Sequence, residues 1–338
     1  MEKTDNADKK RIVYCLWLTL LLALVFVLSL SLGSVAVSPA EVIKALFSRG
    51  QDDTASVIVK SVRLPRVVGA LLSGMGLSVS GVILQGVMNN ALAGPNTLGV
   101  GSGAGFFVML SLLILPGNTS ARPFAAFFGA IAATAVIFAF AFLSDASRVT
   151  LILAGVAVSS LLSAGMNLIK TIDTDIAINV NSFLQGSLAG VSFKALKLPA
   201  LGIAIGLIFA VLLSGHLNML GLGEGVAMSL GLRVSMSRLV LLTVSSLLAG
   251  CVTSYAGILS FVGLMVPHIC RKLFGNDHRT LVPLSALLGG SFVMICDMLG
   301  RVLFSPYEIP TGIIMSFIGG PFFLWLILRG KGGRRINA

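Results

Sequence analysis

Apolar runs long enough to cross a bilayer recur along the whole chain, and they restrict the fold more than any other feature. They lie at approximately 12–33, 65–88, 97–115, 122–143, 149–169, 198–214, 238–257, 260–274, 281–304 and 311–329. A helix of about 20 apolar residues spans the hydrocarbon core, where every backbone N–H and C=O must be satisfied inside the segment. A transmembrane barrel would instead show alternating segments of about 10 residues, and the sequence has none. The chain therefore reads as all-α, a polytopic membrane protein of about ten transmembrane helices forming a single domain over residues 1–338. Composition agrees: 11% of residues are charged and mean hydropathy is +0.99, where a soluble domain carries about 25% charged residues. The eighth run is short and is joined to the seventh only by "YAGILSFVG", which leaves room for a broken or re-entrant helix.

Charge placement sets the orientation. The formal charge of +11 does not mark a nucleic-acid binder, because the basic residues flank apolar runs and form no basic face. The first run follows Lys9, Lys10 and Arg11 and is about 20 residues long, beyond the 7–15 of a signal-peptide core. It reads as a retained first span with its start in the cytoplasm. An even number of spans then puts both termini inside, in agreement with "RGKGGRR" near the C-terminus. On this topology 14 of the Lys and Arg residues lie inside and 10 outside. Five of the outside charges, Lys44, Arg49, Lys60, Arg63 and Arg66, crowd ahead of the second span and break the positive-inside trend. Arg63 and Arg66 sit in "VRLPRVVG", read here as the N-terminus of span two. A cation at a helix N-terminus costs about 0.3–1 kcal/mol, so a compensating partner is expected. Membrane lipid phosphate is the generic one.

Longer outside segments run over 34–61 and 170–197. Inside, 215–237 carries a short helical pattern and 275–280 is a polar turn. Gly69 and Ser73, Gly76 and Ser80, Gly99 and Gly103, and Gly101 and Gly105 are spaced four apart, which predicts flat faces for close helix packing. The stretch "GVGSGAG" lacks a preceding strand, so it reads as packing and not as a nucleotide loop. The phosphate-binding pattern GxxxxGK[ST] does not occur, nor does a nucleophile elbow or a paired Glu or His at metal spacing within a span. No cofactor is expected. Cys15, Cys251, Cys270 and Cys296 form no CxxC pair and read as small buried hydrophobes. Asp297 is the one clear acid inside a span, and Arg301 follows it on the same helix face, as a local ion pair would require.

The stretch "RLPRVVGALLSGMGLSVSGVILQGVMNNALAGPNTLGVGSGAG" resembles the signature of the FecCD permease family, the membrane subunits of type II ABC importers for iron-siderophores, haem and cobalamin. "LGLGEGVAMSLGL", "GILSFVGLMVPHICRKLFGNDHRTLVPLSALLGG" and "DMLGRVLFSPYEIPTGIIMSFIGGPFFLWLILRG" follow in the family's order, from residue 62 to the end. The resemblance implies the type II ABC importer permease fold in a bacterial cytoplasmic (inner) membrane. It also implies a permease homodimer, two copies of an ABC ATPase subunit that hydrolyses ATP on a separate chain, and an extracytoplasmic substrate-binding protein. Arg63, Arg66 and Arg301 match family positions that receive acidic residues of the binding protein. Glu224, Ala227 and Gly231 match the cytoplasmic coupling helix that seats on the ATPase. Asn90 and Leu92 match an inner constriction of the path, and Ser147 corresponds more loosely to a second one. An iron(III)-siderophore complex is the first choice of cargo, with haem or cobalamin as alternatives. An ion-coupled secondary transporter is the rival class. It would need coupling-ion ligands near the midplane, and intramembrane acids are scarce here.

Overall fold

The computed structural model describes residues 2–33, 37–47, 54–118, 120–143 and 148–332. Its helices are α1 (Glu2–Ser31), α2 (Pro39–Phe47), α3 (Thr54–Val57), α4 (Leu64–Met88), α5 (Val100–Ile114), α6 (Ala121–Leu143), α7 (Arg148–Ile172) and α8 (Thr174–Gln185). They continue with α9 (Phe193–Leu212), α10 (Ser214–Gly221), α11 (Glu224–Ser229), α12 (Val234–Ala256), α13 (Val262–Phe274), α14 (His278–Val302) and α15 (Thr311–Gly332). A π-helical turn, Ile58–Arg63, joins α3 to α4, and a 3-10 turn, Pro95–Leu98, precedes α5. Among the described residues there is no strand.

Every predicted span carries a helix. Among the described residues, seven helices are long and apolar enough to cross a membrane by length and composition, and Val100–Ile114 and Thr311–Leu326 are shorter apolar ones. The eighth run holds α13, only 13 residues long. At 1.5 Å per residue that is about 20 Å, too short for a core of about 30 Å. Residues 257–261 complete the passage without helix, so the broken helix that the sequence allowed is present. Non-helical backbone at such depth must be satisfied by protein. Ile258 N donates to Phe183 O at 3.0 Å and Ser187 N donates to Ala256 O at 2.9 Å, both drawing on the end of α8. Helix α8 itself lies in the segment the sequence left as an outside loop. Its start is fixed by Asp173, whose carboxylate accepts from the N–H groups of Asp175 and Ile176.

One expectation is overturned at span two. Arg63 and Arg66 do not stand at a helix N-terminus, because α3, the π turn and α4 run on without interruption from Thr54 to Met88. The helix-dipole cost assigned to them from the sequence falls away, since that effect is confined to the first turn.

Helix α4 is the axis of the core, buried over most of its length between α12, α13 and α14. The small residues make this approach possible. A Cβ on Gly81 would lie 1.8 Å from Gly263 O, and one on Gly74 would lie 2.0 Å from Gly289 O. Gly69, Ser73, Gly76 and Ser80 form a face that meets α12 and its neighbours. Ser73 and Tyr255 hydroxyls lie 2.9 Å apart, Tyr255 donates to Gly69 O at 3.0 Å, and Ser80 and Ser245 hydroxyls pair at 2.7 Å. Gly103 meets Gly129 in the same close manner between α5 and α6. In a membrane, where apolar surface gains nothing by leaving lipid, such backbone proximity and interhelical hydrogen bonds hold helices together. Cys251, Cys270 and Cys296 are buried free thiols, as the sequence indicated.

Candidate functional site: polar clusters at the two ends of the bundle

The first cluster gathers Arg63, Arg66, Asp297, Arg301 and Glu308. Asp297 is fully buried, and Arg63, Arg66 and Arg301 are only 5%, 7% and 3% exposed. Arg66 Nε donates to both Asp297 carboxylate oxygens at 3.0 Å, and its Nη1 donates to Glu308 Oε2 at 2.7 Å. Thr311 Oγ1 donates to Asp297 Oδ1 at 2.9 Å. Arg301 Nε stands 3.1 Å from Asp297 Oδ2 without the alignment of a hydrogen bond, so that contact is one of charge. The i, i+4 pair expected from the sequence is therefore real, but Arg66 shares it.

Among the described residues the cluster holds three guanidinium groups and two carboxylates, and the end of α1 accepts from two of the arginines. Arg63 Nη1 donates to Leu30 O at 2.7 Å and Ser31 O at 2.8 Å. Arg301 Nη2 donates to Ser29 O and Ser29 Oγ, both at 2.9 Å, and its Nη1 donates to Leu32 O at 3.1 Å. The last carbonyls of a helix lack intrahelical donors and carry partial negative charge. The arginines cap α1 and fix it against α4 and α14. Within the chain they find carboxylate and carbonyl partners. Sequence reasoning missed Glu308 and Thr311. The one signal was an acid in the short connection "SPYEIPTG" facing the arginine-rich end.

The second cluster lies at the opposite end. Arg11 on α1 pairs with Asp277 at the N-cap of α14. Asn218 on α10 donates from Nδ2 to Asp277 Oδ1 at 2.7 Å, and its Oδ1 accepts from His278 N at 2.9 Å and lies 2.8 Å from His278 Nδ1. This pattern fixes the Asn218 amide orientation and requires the proton on Nδ1 of His278. Burial alone would raise the Asp277 pKa. The hydrogen bonds from Asn218 and the Arg279 N–H and the charge of Arg11 outweigh it, and the carboxyl is held below its ordinary value. Its stabilising contribution is thus present at neutral pH and is lost as the pH falls through that lowered value. Arg271 on α13 donates to Gln85 on α4, and Gln85 Nε2 donates to Gly263 O at 3.3 Å.

The remaining expected residues lie near this second end. Helix α11 begins at Glu224, whose Oε1 accepts from Arg238 Nη2 at 2.6 Å and ties α11 to α12. Ala227 is fully buried beneath it, and Gly231 has φ +85°, a left-handed turn that a side chain would strain. Leu222, Val226 and Leu230, spaced four apart at and beside α11, are exposed, as is Met228. After α4, Asn89 adopts φ 46° and Asn90 Oδ1 accepts from Leu92 N at 2.9 Å, so Asn90 shapes the turn that exposes Leu92. Ser147 lies outside the described residues.

Long apolar helices with, among the described residues, buried charge clusters near their ends define a polytopic membrane protein. The comparisons give its kind. Residues 21–329 match the model of the FecCD transport family. The chain is 34% identical over 331 residues to the Fe(3+)-citrate import system permease protein YfmE of Bacillus subtilis (strain 168), covering 97% of this chain and 98% of that protein. It is 34% identical over 322 residues to the hemin transport system permease protein HmuU of Yersinia pestis, covering 93% and 95%. A metal-chelate type ABC transporter solved in an inward-facing conformation superposes with a TM-score of 0.84 at 31% identity, over 93% of this chain and 98% of that one. The chain belongs to the FecCD transport family.

Proposed function

We propose that this chain is the membrane permease of an ATP-driven importer for an iron(III)-siderophore chelate, with both termini in the cytoplasm. A separate pair of ATPase subunits seats on α11. A binding protein delivers the chelate to the arginine end of a permease homodimer. The chelate passes along the dimer axis, past the turn at Asn90 and Leu92. The observation that carries the reading is the exposed apolar face of α11 in a chain whose relatives are named as permeases of iron-chelate systems. The ferric cargo rests on those names, and hemin is the next candidate on the same ground.

The geometry narrows the docking role. Arg63 and Arg301 spend their guanidinium groups on α1, and Arg66 is bound through Nε to a fully buried acid. Of the two carboxylates that hold Arg66, Glu308 is the accessible one, with its side chain 40% exposed against 0% for Asp297. A carboxylate on the binding protein therefore reaches Arg66 by displacing Glu308. The exchange replaces one half-exposed carboxylate by another at the same guanidinium.

Permease held in nanodiscs tests both faces. Leu230→Glu is expected to lower ATPase retention at least about tenfold, as for loss of a buried anchor. Glu308→Gln is expected to speed association of the binding protein about two- to fivefold at low salt, by removing the competitor. ATPase retention unchanged in the first variant overturns the α11 assignment, and unchanged or slower association in the second overturns docking through Arg66.

A further inference from the structure

We propose that Asn218 is the positioning residue through which movement of α11 reaches the membrane-spanning helix α14. The proposal rests on the reading that α11 seats an ATPase. Helices α10 and α11 are separated only by Leu222 and Gly223, so a displacement of α11 is delivered at once to α10. Helix α10 packs against α14 and α4. Most of such an interface is apolar and tolerates sliding. Among the described residues, Asn218 is the one residue of α10 whose side chain hydrogen-bonds to α14 and its N-cap. It makes a two-way contact with the first turn of α14, donating to the Asp277 carboxylate and accepting from the His278 backbone and ring. Hydrogen bonds weaken steeply with misalignment, so these contacts fix the register between the two elements. They also satisfy a backbone N–H that the start of α14 leaves without an intrahelical acceptor. Slippage would strand a buried imidazole that Asn218 holds through Nδ1 and whose Nε2 has no hydrogen-bond partner among the described residues.

Helix α14 can carry the displacement onward. From Asp277 to Asp297 it rises about 30 Å, and at the far end Asp297 and Arg301 belong to the arginine cluster. Between the two ends it lies against α4 with Gly74 and Gly289 in close approach and Ser78 Oγ donating to Ser285 O at 2.7 Å. Arg11 pairs with the same Asp277, so α1 moves with it. A push at Asn218 is thereby shared by α1, α4 and α14, the three helices that meet again at Arg63, Arg66 and Arg301.

The test uses the full complex of permease, ATPase and binding protein in proteoliposomes, with uptake counted per ATP hydrolysed. Asn218→Leu is expected to keep its ATPase subunits and continue hydrolysis while uptake per ATP falls about tenfold, within the range by which coupling residues act. Asn218→Asp sets two carboxylates together and is expected to uncouple similarly. Combined with Asp277→Asn it restores the donor–acceptor pair in reverse and should recover most of the loss. Wild-type uptake per ATP in Asn218→Leu overturns the proposal. So does a loss of uptake that merely tracks loss of ATPase from the complex, or a failure of the reversed pair to recover. Leu230→Glu serves as the control for the underlying reading. If it keeps its ATPase, the α11 assignment fails and this proposal with it. If it sheds the ATPase while Asn218→Leu stays fully coupled, only the role of Asn218 is refuted.

Discussion

Replacement of Asp297 by alanine is expected to deplete the folded permease rather than to slow transport by a folded one. The carboxylate is fully buried and is shared by Arg66 and Arg301, themselves nearly inaccessible. Removing one partner of a buried ion pair leaves an uncompensated charge and costs about 3–5 kcal/mol. Here two guanidinium groups lose the same partner. Against a total stability of about 5–15 kcal/mol, that is a large fraction. The loss would also loosen the cap that Arg301 forms on α1. Thermal unfolding of detergent-solubilised protein, followed by size-exclusion profile, should show a marked drop in midpoint and yield. Asp297→Asn keeps an acceptor for Thr311 and Arg66 but removes the charge, and should fall between the two. An Asp297→Ala protein that unfolds at the wild-type temperature would mean that the buried network is not what holds these helices.

A comparable loss is expected at Gly81, by a different cause. A single methyl group there would sit 1.8 Å from Gly263 O and 2.6 Å from Gly263 Cα. Both are backbone atoms and cannot rotate away, so α4 and α13 must separate. Overpacking a core costs about 1–3 kcal/mol and more where backbone must shift. Gly81→Leu is therefore expected to abolish accumulation of folded protein, and Gly81→Ala to reduce it clearly. Gly225, whose added Cβ would meet nothing within 4 Å, supplies the contrast. Its alanine variant should stay within about 0.5 kcal/mol of the parent, as exposed substitutions do. Equal behaviour of the two alanine variants would refute the close-packing account of α4.

Part of this packing was legible in the sequence, although Gly81 itself lay outside the pairs spaced four apart. Spans follow from apolar length, and the small residues four apart announced close faces, because helical period converts spacing directly into facing. The Asp297–Arg301 pair was visible for the same reason. What stayed hidden depends on contacts distant in sequence. Arg66 meets Asp297 across 231 positions, and Asn218 meets Asp277 across 59. No periodicity reports such partners. The supposed helix start at Arg63 failed because a helix can begin before its long apolar run, here at Thr54, and Lys60 and Arg63 interrupt the apolar residues of 55–62. Helix α8 escaped for a related reason: its mixed composition resembles a loop until the neighbours that bury Ile176 and Val180 are known.

The chain is expected to conduct a ferric chelate only when a separate ATPase drives it. Uptake of an iron(III)-siderophore into proteoliposomes tests it most directly, measured with the permease alone, with ion gradients imposed, and with its ATPase, binding protein and ATP. The account predicts uptake only in the complete ATP-fuelled system, with no hydrolysis by the isolated permease. Uptake by the permease alone under a proton or sodium gradient, or ATP hydrolysis by the uncontaminated chain, would contradict it.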